Sequence, residues 1–171
     1  MPASDQGLET GRYRLVPRTL TFIISHDSLL LLRGAPHKRR WANLYNGIGG
    51  HIDRGEDIFT SAKRELYEET GLSIDKLWLC GILQIDVEAE SGVLVFIFRG
   101  ETSQYELLPS GEGVPEWVPI SDIARLPLVE DLPFLLPHIL SAQPGSAPFI
   151  AQSRYDPDGV LQIRVLENRE R

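Results

Sequence analysis

Strand-like and helix-like periodicities alternate along this chain and place it in the mixed α/β class. Residues 93–98 read VLVFIF, a near-continuous apolar run of strand length that fits a central strand covered on both faces. Ile58, Ala62 and Leu66 recur every fourth residue with Phe59 beside them, the spacing of a helix that buries one stripe. Tyr155-Asp156-Pro157-Asp158-Gly159 is a turn signal between strand-like runs at 149–153 and 160–166, which predicts a hairpin. With 171 residues and 42% hydrophobic content the chain can bury a core, and no second hydrophobic set is present, so residues 12–171 are expected to form one domain.

Taken in order, residues 1–11 (MPASDQGLETG) are polar and lack the apolar run of a signal peptide. They are expected to be a flexible segment, and a cytoplasmic location follows by default, since no stretch reaches the length of a membrane span. Thr19–Ser25 and Leu29–Arg33 read as strands joined at His26-Asp27-Ser28. RGAPHKRRW (33–41) is a basic loop in an acidic protein, either a solvated loop or an electrostatic guide for polyphosphate. Asp57–Thr70 is the helix, with Gly71 as its left-handed stop. Leu77–Val87 and Val93–Arg99 follow as strands, then a glycine-rich loop with a short strand at Trp117-Val118-Pro119. A second helix is expected over Asp131–Ser141, kinked or split where Pro133 and Pro137 fall. The last residues, ENRER, are a polar tail.

Charge narrows the function. Twenty-four acidic residues against 17 basic ones give a net charge of −7, which disfavours a nucleic-acid polymer as partner but not a free nucleotide arriving with a cation. The single cysteine, Cys80, precludes an intrachain disulfide and, among apolar neighbours, reads as a buried structural thiol.

Residues 49–72 break local rules. At about 100° per residue, Glu65, Glu68 and Glu69 share an arc of roughly 100°, and Glu69 projects between Ile58 and Ala62. A carboxylate facing the body of the protein is costly to desolvate, neighbouring acids on one helix face repel, and acids in a last turn oppose the macrodipole. A hard divalent cation with oxygen ligands would offset all three penalties, and Mg²⁺ in particular takes few carboxylates while keeping water and substrate phosphates. Gly47, Gly49, Gly50 and Gly55 form a tight loop ahead of the helix whose backbone can approach phosphates or lend a carbonyl to a metal. A solvated acidic face and a plain turn are the alternatives for these features taken separately.

Together they fall at one fixed spacing: Gly50, five residues, Glu56, seven residues, Arg64-Glu65-Leu66, one residue, Glu68-Glu69, one residue, Gly71-Leu72. This is the complete Nudix box, and the chain resembles the Nudix (MutT-like) hydrolases. The resemblance implies the Nudix fold, an α/β/α sandwich with a mixed β-sheet. It implies Mg²⁺, with Mn²⁺ able to substitute, held by Glu65, Glu68 and Glu69 with the Gly49 carbonyl and support from Glu56. Arg64 would orient the acids by ion pairing, and is also spaced as an ordinary helix partner of Glu68. Glu112, five residues before Trp117, matches a loop glutamate that acts on a metal or as general base in the MutT-like enzymes; otherwise it is a solvated loop acid.

NGIGG before the helix, EWVPISDI with LPLVEDLPFLLPHIL after it, and the final hairpin look like the 8-oxo-dGTP diphosphatase branch. The resemblance then implies that Asn46 and Asp131, with Glu130 alongside, read an oxidised purine. An amide offers donor and acceptor together, and a carboxylate accepts from the N1 and N2 hydrogens of a guanine-type base. A turn residue and a helix N-cap are the plain alternatives for these two. The match departs from that branch at Arg40, where the stacking aromatic would stand, leaving Trp41 or Tyr45 to replace it, and at His51, where many relatives carry lysine. Arg33 completes the expected substrate-binding set. The expected reaction is hydrolysis of an 8-oxo-dGTP-like triphosphate to monophosphate and pyrophosphate, by a monomer or homodimer. The alternative is a broad hydrolase of nucleoside-diphosphate derivatives such as ADP-ribose, nucleotide sugars or dinucleoside polyphosphates. Members cleaving ADP-ribose or dinucleoside polyphosphates tend to carry a proline or tyrosine past the box, where this chain reads DVEAESG (86–92).

Overall fold

The computed structural model describes Gly7 and residues 11–166. Most of the segment expected to be flexible, and the polar tail 167–171, lie outside the described residues. One mixed sheet is built from β1 (Arg14–Ser25), β2 (Ser28–Gly34), β3 (Tyr45–Asn46), β4 (Leu77–Asp86), β5 (Ser91–Glu101), β6 (Gly113–Pro119), β7 (Phe149–Tyr155) and β8 (Leu161–Leu166). The order is β3-β2-β1-β5-β4-β7-β8, with β6 also paired to β2; β1 runs parallel to β5 and β4 parallel to β7. Two α-helices, α1 (Ile58–Thr70) and α2 (Leu132–Ser141), cover the sheet.

Strand alternation decides which helix covers which face. Phe22, Leu29 and Leu31 pack with Leu132, Leu135 and Ile139 of α2, while Ile23, Leu30 and Leu32 pack with Leu66 of α1. The result is the α/β/α sandwich that the resemblance implies. Helix α1 has both expected ends. The Asp57 side chain accepts from the N–H groups of Phe59 (2.8 Å) and Thr60 (3.1 Å), and Gly71 sits at φ 75° just past the last turn. Pro137 does not split α2. Arg99, from β5, donates to the carbonyls of Leu140 (2.7 Å) and Ala142, placing a cation on the helix's negative end. Cys80 is buried as expected, and burial pushes its thiol up to about 12.

The strands differ from expectation where tertiary pairing overrides local pattern. β1 begins at Arg14 rather than Thr19 because it pairs with β5 from Arg14↔Ser91 to Ile24↔Glu101, carrying Pro17 within it. β6 begins at Gly113 rather than Trp117 because it pairs along the whole of β2, and Pro115 is tolerated opposite Leu32. A 3-10 helix at Ile120–Arg125 and the two-residue β3 carry no periodicity of their own.

Short as it is, β3 fixes the glycine loop in place. β1 and β2 pair only beside their turn, at Ile24↔Leu29 and Ser25↔Ser28. Beyond that they part, and residues 45–51 fill the gap. Tyr45 and Asn46 pair with Arg33 and Leu32, then Ile48 and His51 pair with Thr21 and Arg18, both antiparallel. Since β1 and β2 are themselves antiparallel, the chain must reverse at Gly47. The glycine loop is therefore clamped on two sides, in front of α1. Among the described residues, no helix is long and apolar enough to cross a membrane.

Candidate active site

The apolar stripe of α1 fixes the helix against the sheet, and that orientation carries its last two turns of acids beneath the clamped loop. Contact is close enough to dictate residue type. A Cβ on Gly50 would lie 2.4 Å from Glu65 Oε1, and one on Gly49 would lie 2.1 Å from the Thr19 carbonyl oxygen. Glycine at both positions lets β1, the loop and the helix meet.

The three box acids differ in surroundings. Glu69 is 5% exposed and buried, the Glu65 side chain is 14% exposed, and the Glu68 side chain is 56% exposed. The Glu69 carboxylate accepts the Gly49 N–H at 3.2 Å and, among the described residues, bonds no cationic side chain. Burial therefore dominates and raises its pKa to about 7; the Gly49 bond and the Lys38 charge oppose this, while Glu65 and Glu112 add to it. In extended backbone the N–H and carbonyl of one residue lie along the same edge, so the Gly49 carbonyl faces the acids too.

Arg64 is the hub. Its Nε and Nη2 grip Glu56 Oε1 and Oε2 at 2.7 and 2.9 Å, a bidentate pair, while Nη1 reaches Glu65 Oε1 at 2.9 Å and Glu68 Oε2 at 3.2 Å. Nη2 also donates to the His51 carbonyl at 3.1 Å, which ties the helix to the loop. The Arg64 bonds, helped by the Asp53 N–H, hold the Glu56 carboxyl at about 2 against the effect of burial. Glu56 in return, with Glu65 and Glu68, raises the pKa of the guanidinium.

Among the described residues no three ligating side chains converge as a ready metal cage. Arg64 Nη1 instead holds one oxygen each of Glu65 and Glu68. The donor set still fits a hard divalent cation, because all candidate donors are oxygens and the buried, unpaired Glu69 is the group whose ionised form such an ion would relieve.

Glu112 lies on the loop before β6 with its side chain 58% exposed. Its charge bears on Glu69, and its Oε2 pairs with Lys38 Nζ at 2.5 Å. The basic loop is held there by backbone as well, through Ala35 N–H to the Glu112 carbonyl at 3.2 Å. Sequence reasoning marks the loop as basic but does not single out Lys38; its one signal is membership of RGAPHKRRW.

The residues expected to bind substrate do not share one face: Tyr45, paired with Arg33, packs on the α2 side, whereas Asn46 is paired with Leu32, which packs on the α1 side. Tyr45 is buried in the core, and its hydroxyl donates to Glu116 Oε2 at 2.9 Å; Arg33 Nε donates to Glu116 Oε1 at the same distance. Glu116 thus braces β2, β3 and β6 together. Only its place before Trp117 is visible in the sequence, and nothing there marks it as a brace. Trp41 is 47% exposed at the end of the basic loop, with φ 60°. Asn46 Oδ1 accepts the Gly47 N–H at 2.8 Å, which leaves its amide nitrogen for a ligand. Asp131 stands at the N-cap position of α2 but makes no side-chain cap bond, and burial raises its pKa, with the Glu130 charge adding to the effect. The parallel bridge Tyr45↔Leu128 sets the approach to α2 beside β3, while Glu130 is engaged by the Tyr155 hydroxyl at 3.0 Å.

Comparison with known proteins agrees with this geometry. The NUDIX domain model matches residues 15–139. The chain is 34% identical over 106 residues to a zebrafish (Danio rerio) protein named oxidized purine nucleoside triphosphate hydrolase, covering 61% of this chain and 67% of the relative. It is 29% identical over 150 residues to the mouse (Mus musculus) protein of the same name, covering 87% and 93%. Among solved structures it superposes on a MutT protein from Bacillus halodurans with a TM-score of 0.74 at 27% identity, covering 88% of this chain and 97% of that one. The chain belongs to the Nudix family and is a Nudix phosphoanhydride hydrolase.

Proposed function

We propose that the chain hydrolyses an 8-oxo-dGTP-like nucleoside triphosphate to the monophosphate and pyrophosphate with Mg²⁺, removing oxidised purines from the nucleotide pool. The observation that carries the metal reading is Glu69, a buried carboxylate that bonds no cationic side chain among the described residues and feels only the more distant Lys38 charge. Glu65, Glu68, Glu69 and the Gly49 carbonyl would hold Mg²⁺. When bound, the ion supplies charge neutralisation on the bridging and non-bridging phosphate oxygens as the anhydride breaks. Arg64 keeps Glu56 ionised and fixes Glu65 and Glu68 relative to the loop. Glu112 takes a proton from the attacking water, whose oxygen bonds to phosphorus as the anhydride oxygen leaves with its electron pair.

The base reading rests on the zebrafish and mouse relatives and on Asp131, a half-buried carboxylate free of the cap bond that would otherwise explain it. The broad-hydrolase alternative draws support from the buried Tyr45 and from the Asn46 oxygen being used on Gly47, since both reduce what is left to recognise a base. The ratio of kcat/KM for 8-oxo-dGTP over dGTP, dATP and ADP-ribose decides between them. Wild type is expected to prefer the oxidised nucleotide, and Asn46→Ala and Asp131→Ala each to lose most of that preference, because a buried polar group left unpaired costs about 1 to 3 kcal/mol. A wild-type enzyme without preference among triphosphates, or one preferring ADP-ribose, refutes the sanitising reading.

A further inference from the structure

The cations of the basic loop are not equivalent. Lys38 is held by Glu112 at 2.5 Å and Arg33 by Glu116 at 2.9 Å, so neither is uncommitted. Arg40 has no carboxylate partner among the described residues and lies close enough for its charge to act on Arg18 of β1. Arg18 is half-buried and likewise lacks a carboxylate partner among the described residues. It pairs across the backbone with His51, and its Nε donates to His51 Nε2 at 3.2 Å. Accepting through Nε2 leaves the histidine to carry its proton on Nδ1, as a further donor.

Arg18 and His51 are thus bonded to each other with no acid partner among the described residues, within range of the Arg40 charge, in a chain of net charge −7. Burial, and then the charge of Arg40, lower the Arg18 pKa, the mark of a cation held where it is not compensated. The placement is specific. Gly50 faces Glu65 on the α1 side, so its neighbour His51, and with it Arg18, face the α2 side, the side of Leu20 and Phe22. The cluster therefore stands across two residues of loop backbone from the box acids.

We propose that Arg18, Arg40 and His51 form an oxyanion subsite for a phosphate of the phosphoanhydride chain, on the far side of the Gly49–Gly50 backbone from the carboxylates of α1. Planar guanidinium forks match phosphate oxygens two at a time, and an incoming dianion would replace the repulsion between Arg18 and Arg40 with attraction to both. The inference rests on the proposed function only in taking a polyphosphate as the ligand, not in the identity of the base.

The probe is inorganic pyrophosphate, titrated calorimetrically against the full chain in EDTA, so that metal bound by the box acids plays no part. Wild type is expected to bind, more weakly as salt is raised, and Arg40→Gln and Arg18→Gln are each expected to raise Kd by about tenfold or more. Arg40→Lys should recover part of the loss but not all of it, since an ammonium lacks the fork. In turnover, the same variants should raise KM by a larger factor than they lower kcat. Wild type failing to bind pyrophosphate overturns the proposal, as does Arg40→Gln binding it as well as wild type. Arg40 is on an exposed loop, so that variant remains informative even where Arg18→Gln folds poorly. Absence of a preference for oxidised purines would sink the substrate reading while leaving the pyrophosphate result intact.

Discussion

Replacing Glu69 with glutamine should make the metal-free protein more stable at pH 8 and change little at pH 5. The folded-state pKa of Glu69 is raised from 4.5 to about 7, chiefly by burial. In the unfolded chain the group ionises near its ordinary value, so between the two values the native state binds the extra proton and stability falls as pH rises. The penalty is absent below 4.5, grows through the window, and is complete above 7. Its full size is about 3 kcal/mol at about 1.36 kcal/mol per unit, and relaxation and water penetration would reduce it to roughly 1 to 3 kcal/mol. Glutamine mimics the protonated acid, and its Oε1 can still accept the Gly49 N–H. The raised Asp131 slopes in the same direction in both proteins and cancels in the comparison, and the depressed Glu56 matters only below 4.5. Urea denaturation in EDTA at pH 5 and pH 8 measures the difference. For a chain of this length the gain at pH 8 corresponds to a Tm shift of about 2–4 °C per kcal/mol. Saturating Mg²⁺ should then stabilise wild type more than the variant. A gain of equal size at both pH values, or none at pH 8, would show that the buried charge is not the source.

The same geometry sets three further outcomes. Glu68→Gln should lower kcat by two orders of magnitude or more, about 3 kcal/mol of transition-state stabilisation, with an unchanged circular dichroism spectrum; near-normal turnover at saturating Mg²⁺ would remove it from the metal site. Glu112→Gln should lower kcat with little change in KM, as expected of a proton acceptor used in the transition state, whereas a change confined to KM would demote it to substrate positioning. Arg64→Ala strips Glu56 of its bidentate partner and releases Glu65 and Glu68 together, so Mg²⁺ affinity and kcat should both fall, by about tenfold or more. Arg64→Lys should recover only part, because one ammonium cannot span all three carboxylates; complete rescue by lysine would show that charge alone suffices.

How legible these features are depends on sequence separation. Helix α1, its Asp57 and Gly71 ends and its arc of acids are local consequences of residues within a few turns of each other, and they read directly from periodicity. The hairpin of β7 and β8 and the buried run of β5 are legible for the same reason. The first half of β1 is not, because Arg14, Pro17 and Arg18 look like loop until β5, far along the chain, supplies the partner edge. β6 is obscured in the same way by its glycine and proline and revealed only by β2. The site divides along this line as well. The box acids and Arg64 sit on one helix, whereas Lys38 with Glu112, Tyr45 and Arg33 with Glu116, and Arg18 with His51 are pairs that only the fold assembles. Sequence could suggest Asp131 as a helix cap, but only coordinates show that its carboxylate does not perform that role.

The parting of β1 from β2 bears on redesign. Because residues 45–51 are hydrogen-bonded on one side to β2 and on the other to β1, the acids and the glycines facing them are registered by the sheet and not by the 35–44 loop that precedes them. That loop returns to its own base, with Gly34 N–H bonded to the Leu44 carbonyl and Asn43 N–H to the Gly34 carbonyl. It is a closed excursion, and lengthening, shortening or exchanging it leaves the catalytic register where it was. Register and charge are thereby set separately. The sheet fixes where the acids and glycines stand, while the excursion supplies cations such as Lys38, which pairs with Glu112, so a transplant of residues 35–44 changes the charge at the site without moving its register.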